Sequence, residues 1–503
     1  MTEELKNKLE LVDNVLKEAG MYRDACGVIY FDYETICPEK AMEHQGDVAA
    51  FIENQAYKLM KGEAFIEACE YIYDHKDQLE DPLHKRLAEL LHRERIRTKN
   101  IDPEMAHEFS LVFNKAHRDW LQAKEKSDYS LFKASLKEVR DVNIKQIELR
   151  DERKADIYDE MLNDFETGMS SADLDECFGR CKERLIPFLE KIQKSGKIIR
   201  SDFLSRKVPR HNQEALSDYL LNVIGFDFTR GAISTTEHPF TSDVGRDDIR
   251  VTTHYYDDAF ASSMYSVIHE GGHALFGQLV PPEDYDYHID NAMTMGMHES
   301  VSRFYENRIG RSESFINLVF DKTKELLPGV LDDVTPRELY EAVNIAQPSL
   351  IRTEADEFTY TFHIIIRYEL EKEIVSGRAN PDDLPELWNS KYEKYLGIRP
   401  DCDKNGILQD VHWTGGFGYF PTYAIGNMYN AMYYNAMKPD LDPMKEVAAG
   451  NFAAINNWMK ERVFKKADRL DPKEWIRDIT GRAFTPDDFL DYLEEKYGAI
   501  YGL

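Results

Sequence analysis

The sequence predicts a mainly α-helical fold, a large helical body with one small β-sheet ahead of the middle of the chain. Three observations carry that prediction: apolar residues at helical spacing, repeated helix-start signatures, and a single stretch of strand-forming composition. Leu5, Leu9, Val12 and Leu16 recur every three or four residues. That period lines up one face of a helix, so the chain opens with an amphipathic helix, and similar patterns fill most of the N-terminal part. Asp102-Pro103-Glu104, Asn380-Pro381-Asp382 and Asp471-Pro472-Lys473 each place a capping side chain before a proline whose fixed φ suits the first helical position. Thr485-Pro486-Asp487-Asp488 repeats the pattern, with an acid three residues after the cap and Phe489, Leu490, Tyr492 and Leu493 behind it. From about Lys197 to Tyr256 the chain turns rich in Thr, Ser, Val, Ile and Phe, and Ile249-Arg250-Val251-Thr252-Thr253 has the β-branched character of a strand. No fixed-period repeat, low-complexity tract or Gly/Ser linker demands a cut, so residues 1–503 read as one unit. Its parts are a helical region over about 1–195, a small sheet over about 197–256, and further helices over 257–503.

Composition narrows the function classes. With 63 Lys and Arg against 92 Asp and Glu, the net charge is −29. That sign argues against a nucleic acid or an anionic membrane surface as partner, because phosphates are held by concentrated positive charge. A 42% hydrophobic share with 12% aromatics supplies a large core. No run approaches the roughly 18 to 20 apolar residues of a membrane helix, and the N-terminus opens with Glu3-Glu4 and no apolar run behind it. The expectation is a cytoplasmic protein. Its six cysteines, at 26, 37, 69, 177, 181 and 402, contain no Cys-x-x-Cys pair and are expected to be reduced, mostly buried thiols.

His269-Glu270-Gly271-Gly272-His273 matches His-Glu-x-x-His. On a helix the two His project from one face and can share a metal, while Glu270 stands beside them as a base near a metal-bound water. Ser262 to Ile268 before the motif and Ala274-Leu275-Phe276 after it predict a buried helix. Two adjacent glycines in a helix interior each cost about 1 kcal/mol against Ala, so Gly271 and Gly272 predict close approach of a backbone or ligand. A catalytic metal needs a third protein ligand, and Glu299 in Met297-His298-Glu299-Ser300 is the candidate. His298 competes, since adjacent helical residues point about 100° apart and only one can face the metal. Spacing does not choose between them. The Gly-rich loop from Gly406 through His412-Trp413 to Tyr423 offers either donors for an oxyanion or an aromatic-lined helix start. Arg352 offers either an anion site or a salt bridge to nearby acids.

Together these segments resemble the Taq-type metallocarboxypeptidases, mostly helical zinc-dependent exopeptidases related to the helical oligopeptidases. Phe31-Asp32-Tyr33-Glu34-Thr35 is similar to the family's Trp-Asp-x-x-Thr, with Phe31 for the Trp and Cys37-Pro38 where Met-Pro is usual. His238-Pro239-Phe240, Asp248-Ile249-Arg250-Val251-Thr252, the His269 motif, His298-Glu299-Ser300, Ile351 to Glu357 and Gly406 to Trp413 match further family segments in order. Val301 departs from the Gln that usually follows His-Glu-Ser, which puts a contact behind the metal site in doubt.

The resemblance implies a helical metallopeptidase body with a deep cleft and a homodimer. It implies that His269, His273 and Glu299 bind one divalent metal, most simply Zn2+ with Co2+ or Mn2+ also suited, and that Glu270 is the general base. His412 and Tyr423 would then lie close to the scissile carbonyl, and Arg352 would hold the free C-terminal carboxylate of a peptide substrate. The expected reaction is release of single C-terminal amino acids. The same metal and base would also serve an oligopeptidase or peptidyl-dipeptidase. A helical scaffold with a structural metal would have no need of Glu270, and the stretch before His269 lacks the Gly-x-Met-Glu-Asn segment of aminopeptidases.

Overall fold

A computed structural model of the protein describes residues 1–290 and 292–503. The opening helix runs Glu3–Thr35 with Leu5, Leu9, Val12 and Leu16 buried, the stripe its spacing predicts. With Glu63–Asp74 and Pro82–Thr98 it encloses a small core of its own, into which Ile289 inserts from far along the chain. A much larger core starts near Ala116 and reaches Tyr501.

Helix starts follow the signatures with two corrections, at Asp471 and at Asn380. Asp102 accepts the Met105 N–H at 2.8 Å and caps Pro103–Lys126. Asp471 precedes Pro472–Thr480, but its carboxylate is taken by Arg86 and Arg93, so it ties this helix to Pro82–Thr98 instead of capping it. Thr485 accepts the Asp487 N–H at 3.3 Å, at the head of Asp487–Tyr501. At Asn380-Pro381 no helix begins: the Asn380 side chain accepts the Asp382 N–H at 3.2 Å in a local turn, and the helix starts at Leu384.

The sheet is smaller than the 197–256 span. It holds β1 (Gly231–Thr235), β2 (Thr241–Gly245) and β3 (Asp248–Thr253), with β3 central, parallel to β1 and antiparallel to β2. Ahead of it, Arg210–Ile224 is a helix whose Leu216, Leu220, Leu221 and Ile224 turn inward. Helical spacing of those residues outweighs the strand-forming composition around them.

Segments far apart in sequence meet at this sheet. The Arg250 guanidinium lies 5.1 Å from the Phe31 ring centre, and Phe31 packs on Phe240. Thr252, fully buried, accepts the Phe240 N–H at 2.8 Å. Phe260–Leu279 then packs on β3 and on Arg210–Ile224. Met295–Arg303 follows, continues as a π-helical turn over Phe304–Gly310, and lies along Pro421–Met437 in the most extensive helix contact among the described residues.

All six cysteines are free, but only Cys69, Cys177 and Cys181 are buried and Cys402 is exposed. Among the described residues no helix is long and apolar enough to cross a membrane.

Candidate active site

The two glycines of the His269 motif answer to packing on both sides of their helix. A Cβ on Gly271 would come within 2.8 Å of Leu221 and Ile224 side chains, and one on Gly272 would lie 2.8 Å from the Ser302 Cα. Gly272 therefore lets the His269 helix touch the backbone of the Glu299 helix. Gly426 does the same from the other side, where a Cβ would stand 3.0 Å from the Ser300 nitrogen and 3.1 Å from the Glu299 carbonyl carbon. Three helices are thus pressed together around Glu299.

This packing brings His269, His273 and Glu299 together, with one ligand atom of each within 4.8 Å of the others. Glu299 Oε2 lies 3.6 Å from His269 Nε2 and 3.7 Å from His273 Nε2. His298 does not face this centre. Its Nδ1 sits 2.6 Å from His273 Nδ1, on the outer side of that ring. Burial lowers the pKa of both rings, His298 to about 4, so both are neutral and one shared proton joins them. His273 as donor leaves its Nε2 lone pair turned inward.

His269 is held in the same way by Glu306, whose Oε2 accepts from Nδ1 at 2.8 Å. Burial works against charge on Glu306, but Arg303, the His269 ring and Arg311 more than offset it and hold the carboxyl below its usual range. Burial also opposes protonation of His269, while Glu299 and Glu306 favour it and prevail. Arg303 Nε donates to Glu299 Oε1 at 2.7 Å, leaving Oε2 toward the imidazoles. Two imidazoles with Nε2 inward and one carboxylate oxygen form a donor set that fits a divalent cation. Val301 is fully buried against this packing, and His298 supplies the contact behind His273.

Glu270 is buried beside the cluster. The Thr241 hydroxyl of β2 lies 2.7 Å from its Oε2 and 2.9 Å from its backbone oxygen. The sheet thereby orients this carboxylate and leaves Oε1 as the oxygen not held by Thr241. Burial raises the Glu270 pKa, against the pull of His269 and Thr241.

Arg352 stands in a 3₁₀ turn, Arg352–Glu354, and is 7% exposed. It is ion-paired: Nε and Nη2 donate to Asp410 Oδ1 at 3.0 and 2.9 Å. Asp410 also takes Arg367 at 2.6 Å, so two guanidinium groups share one carboxylate and the cluster keeps a net positive charge. Burial opposes the Asp410 charge, but the two arginines hold it well below the usual carboxylate range.

Tyr360 joins this group to the first. Its hydroxyl accepts from Arg352 Nη1 at 3.1 Å, and Arg303 lies 4.7 Å over its ring. His412 Nε2 is 3.2 Å from the Tyr423 hydroxyl, and Arg352 lies 4.9 Å from the Tyr423 ring centre. Burial, reinforced by Arg352 and Arg367, lowers the His412 pKa to about 4, while burial raises that of Tyr423. Both are therefore neutral near pH 7.

The loop between them hangs on buried Glu371, which accepts from Trp413 Nε1 at 2.9 Å, the Gly418 N–H at 3.0 Å and the Tyr158 hydroxyl at 2.8 Å. Beside His412 opens a pocket of about 570 Å³, walled by Ile147, Met161, Phe165, Phe417 and Tyr419.

Sequence reasoning missed Glu306, Thr241, Tyr360, Asp410 and Glu371 as parts of the site. Two of them carried a signal: Glu306 stands seven residues after Glu299, two helical turns along the same face, and Asp410 lies within the Gly406 to Trp413 segment.

The sequence profile described as carboxypeptidase Taq (M32) metallopeptidase matches residues 11–497. Carboxypeptidase 1 of Bacillus subtilis is 36% identical over 490 residues, 97% of each chain. Thermostable carboxypeptidase 1 of Thermus thermophilus is 34% identical over 484 residues, 94% of each. The crystal structure of an M32 carboxypeptidase from Deinococcus radiodurans superposes with a TM-score of 0.94 at 29% identity, covering 99% of this chain and 100% of that one. A profile match from end to end, joined to relatives this similar over nearly their whole length, places the chain in the carboxypeptidase Taq (M32) family as a metallocarboxypeptidase.

Proposed function

We propose that the protein hydrolyses the last peptide bond of peptides with a free C-terminal carboxylate and releases single amino acids. The observation that carries this reading is the convergence of His269 Nε2, His273 Nε2 and Glu299 Oε2 beside the Glu270 carboxylate. Those three residues would hold one divalent cation, zinc by the donor set, with cobalt or manganese also suited. When bound, it supplies Lewis acidity, polarising a carbonyl and acidifying water.

The protein's own groups do the rest. Glu270, oriented by Thr241, takes a proton from the attacking water and gives it to the departing amine. His412 and Tyr423, both neutral, share one hydrogen bond: with His412 Nε2–H donating to the Tyr423 oxygen, the Tyr423 O–H is left to donate to the carbonyl oxygen as it gains charge. Arg352 takes the terminal carboxylate. Its cluster suits an anion because Asp410 neutralises only one of two arginines, and at such short range this outweighs the repulsion of a chain of charge −29, which salt screens beyond roughly 8 Å.

Time-resolved analysis of the products from one defined peptide tests the reading. Single amino acids appearing in order from the C-terminus are expected. Dipeptides or internal fragments as first products would assign the site to a peptidyl-dipeptidase or oligopeptidase instead.

A further inference from the structure

Next to the active site lies a buried cation without a salt-bridge partner, on which Glu357 and Asp488 act only from a distance. Arg308, in the π-helical turn, is 5% exposed, and among the described residues no carboxylate stands within ion-pair distance of it. Its buried neighbours are matched: Lys496 pairs with Glu357 at 2.6 Å and Arg311 with Glu306 at 3.2 Å. The Arg308 plane lies 3.4 Å from the Tyr492 ring centre and 5.3 Å from that of Tyr434, which covers its faces but accepts nothing from its edge.

On that edge, Nε donates to Asn430 Oδ1 at 3.2 Å. Nη2 belongs to the same edge of the planar fork and finds no acceptor. The Asn430 Nδ2, on a side chain 2% exposed, finds none either. Exchanging oxygen and nitrogen of the Asn430 amide does not cure this. It would set the amide N–H2 against Arg308 Nε, donor facing donor, so a guanidinium N–H still lacks an acceptor. Two buried donor groups and an unbalanced charge call for an acceptor that carries negative charge.

We propose that Arg308 and Asn430 form a site for one small monovalent anion, a halide such as chloride, held by the guanidinium Nη2 and the amide Nδ2. Its charge matches the single unbalanced arginine. Asn430 shares a helix face with Asn427 and Tyr423, and Arg308 is two residues from Glu306. The anion therefore braces the joint between the segment that holds His269 and the helix that carries Tyr423.

Crystals of the whole protein in sodium bromide, measured at the bromine absorption edge, test this directly. An anomalous peak within hydrogen-bonding reach of Arg308 Nη2 and Asn430 Nδ2 is expected. A position there without anomalous signal, filled by water, would overturn the proposal. In solution, bromide at ten times its dissociation constant should shift the folding equilibrium about tenfold over sodium gluconate of equal ionic strength. Arg308→Met should lose that shift. Asn430→Asp, which supplies the negative charge internally, should lose it while keeping the fold. A bromide effect unchanged in Asn430→Asp would contradict the assignment whether or not Arg308→Met folds.

Discussion

His269, Glu270 and His273 stand on one helix and Glu299 and Glu306 on a second helical run, whereas Arg352, His412 and Tyr423 come from a 3₁₀ turn, a loop and a helix start. The first group is fixed by backbone contact, since Gly272 and Gly426 let three helices close on Glu299. The second is fixed by buried acids: Asp410 gathers Arg352 and Arg367, and Glu371 suspends the loop that follows His412. Disturbing the first group should therefore act on the metal and the chemical step. Disturbing the second should act on substrate binding and on the response to pH.

The largest effect is expected inside the first group. Glu270→Gln removes the base but keeps the hydrogen bond from Thr241, so peptide turnover should fall by about 10²- to 10⁴-fold with metal content unchanged. Metal analysis alongside the assay separates this from loss of the cation, and wild-type turnover in the variant would end the base assignment.

Glu371 marks the second group by its titration. Burial, against the donors Trp413, Gly418 and Tyr158, raises its pKa to about 7. A folded pKa above the unfolded one means that the native state keeps a proton the unfolded chain has released. Its stabilising contribution is thus complete below about pH 4.5 and lost as pH rises through 7. Glu371→Gln should remove this slope, gaining about 2 to 3 kcal/mol on the wild type between pH 5 and pH 8. Denaturant unfolding at both pH values measures it, and parallel pH curves would place the carboxyl in a more polar setting than its burial indicates.

Arg352→Ala should weaken cleavage of free-acid peptides by roughly 10- to 100-fold, the worth of a charge-assisted contact, and spare C-terminally amidated ones. Equal losses on both would remove Arg352 from the clamp role. Asp410 keeps Arg367 in that variant, so no carboxylate is orphaned. Smallest of the four, Glu306→Gln keeps an acceptor for His269 but not its charge, and should lower metal affinity about tenfold in chelator competition.

What the sequence made legible follows the same division. Leu5, Leu9, Val12 and Leu16, the capped start at Asp102 and the His269 motif are local patterns, and each sits as its spacing predicts. Gly271 and Gly272 announced a close approach by their cost alone, although not that the neighbours would be Leu221, Ile224 and Ser302. Spacing left Glu299 and His298 level, because the choice depends on how the helix is rolled against Gly426, a contact more than 120 residues along the chain. Tyr360 and Thr241 carry no local signal, since each is defined by what the fold brings to it: a tyrosine with one arginine on its hydroxyl and another over its ring, and a hydroxyl held against Glu270. Asn380 accepts the N–H two residues on, as Thr485 does, yet residues 381–383 stay a turn and the helix waits for Leu384, so the local signature marked the turn and not the helix boundary.

The account rests on one cation shared by two imidazoles and a carboxylate, and anomalous diffraction from crystals of the metal-loaded protein tests it most directly. A single peak at bonding distance from His269 Nε2, His273 Nε2 and Glu299 is predicted, with His298 outside it. A peak that includes His298 in place of Glu299, or one lying away from all three, would contradict it.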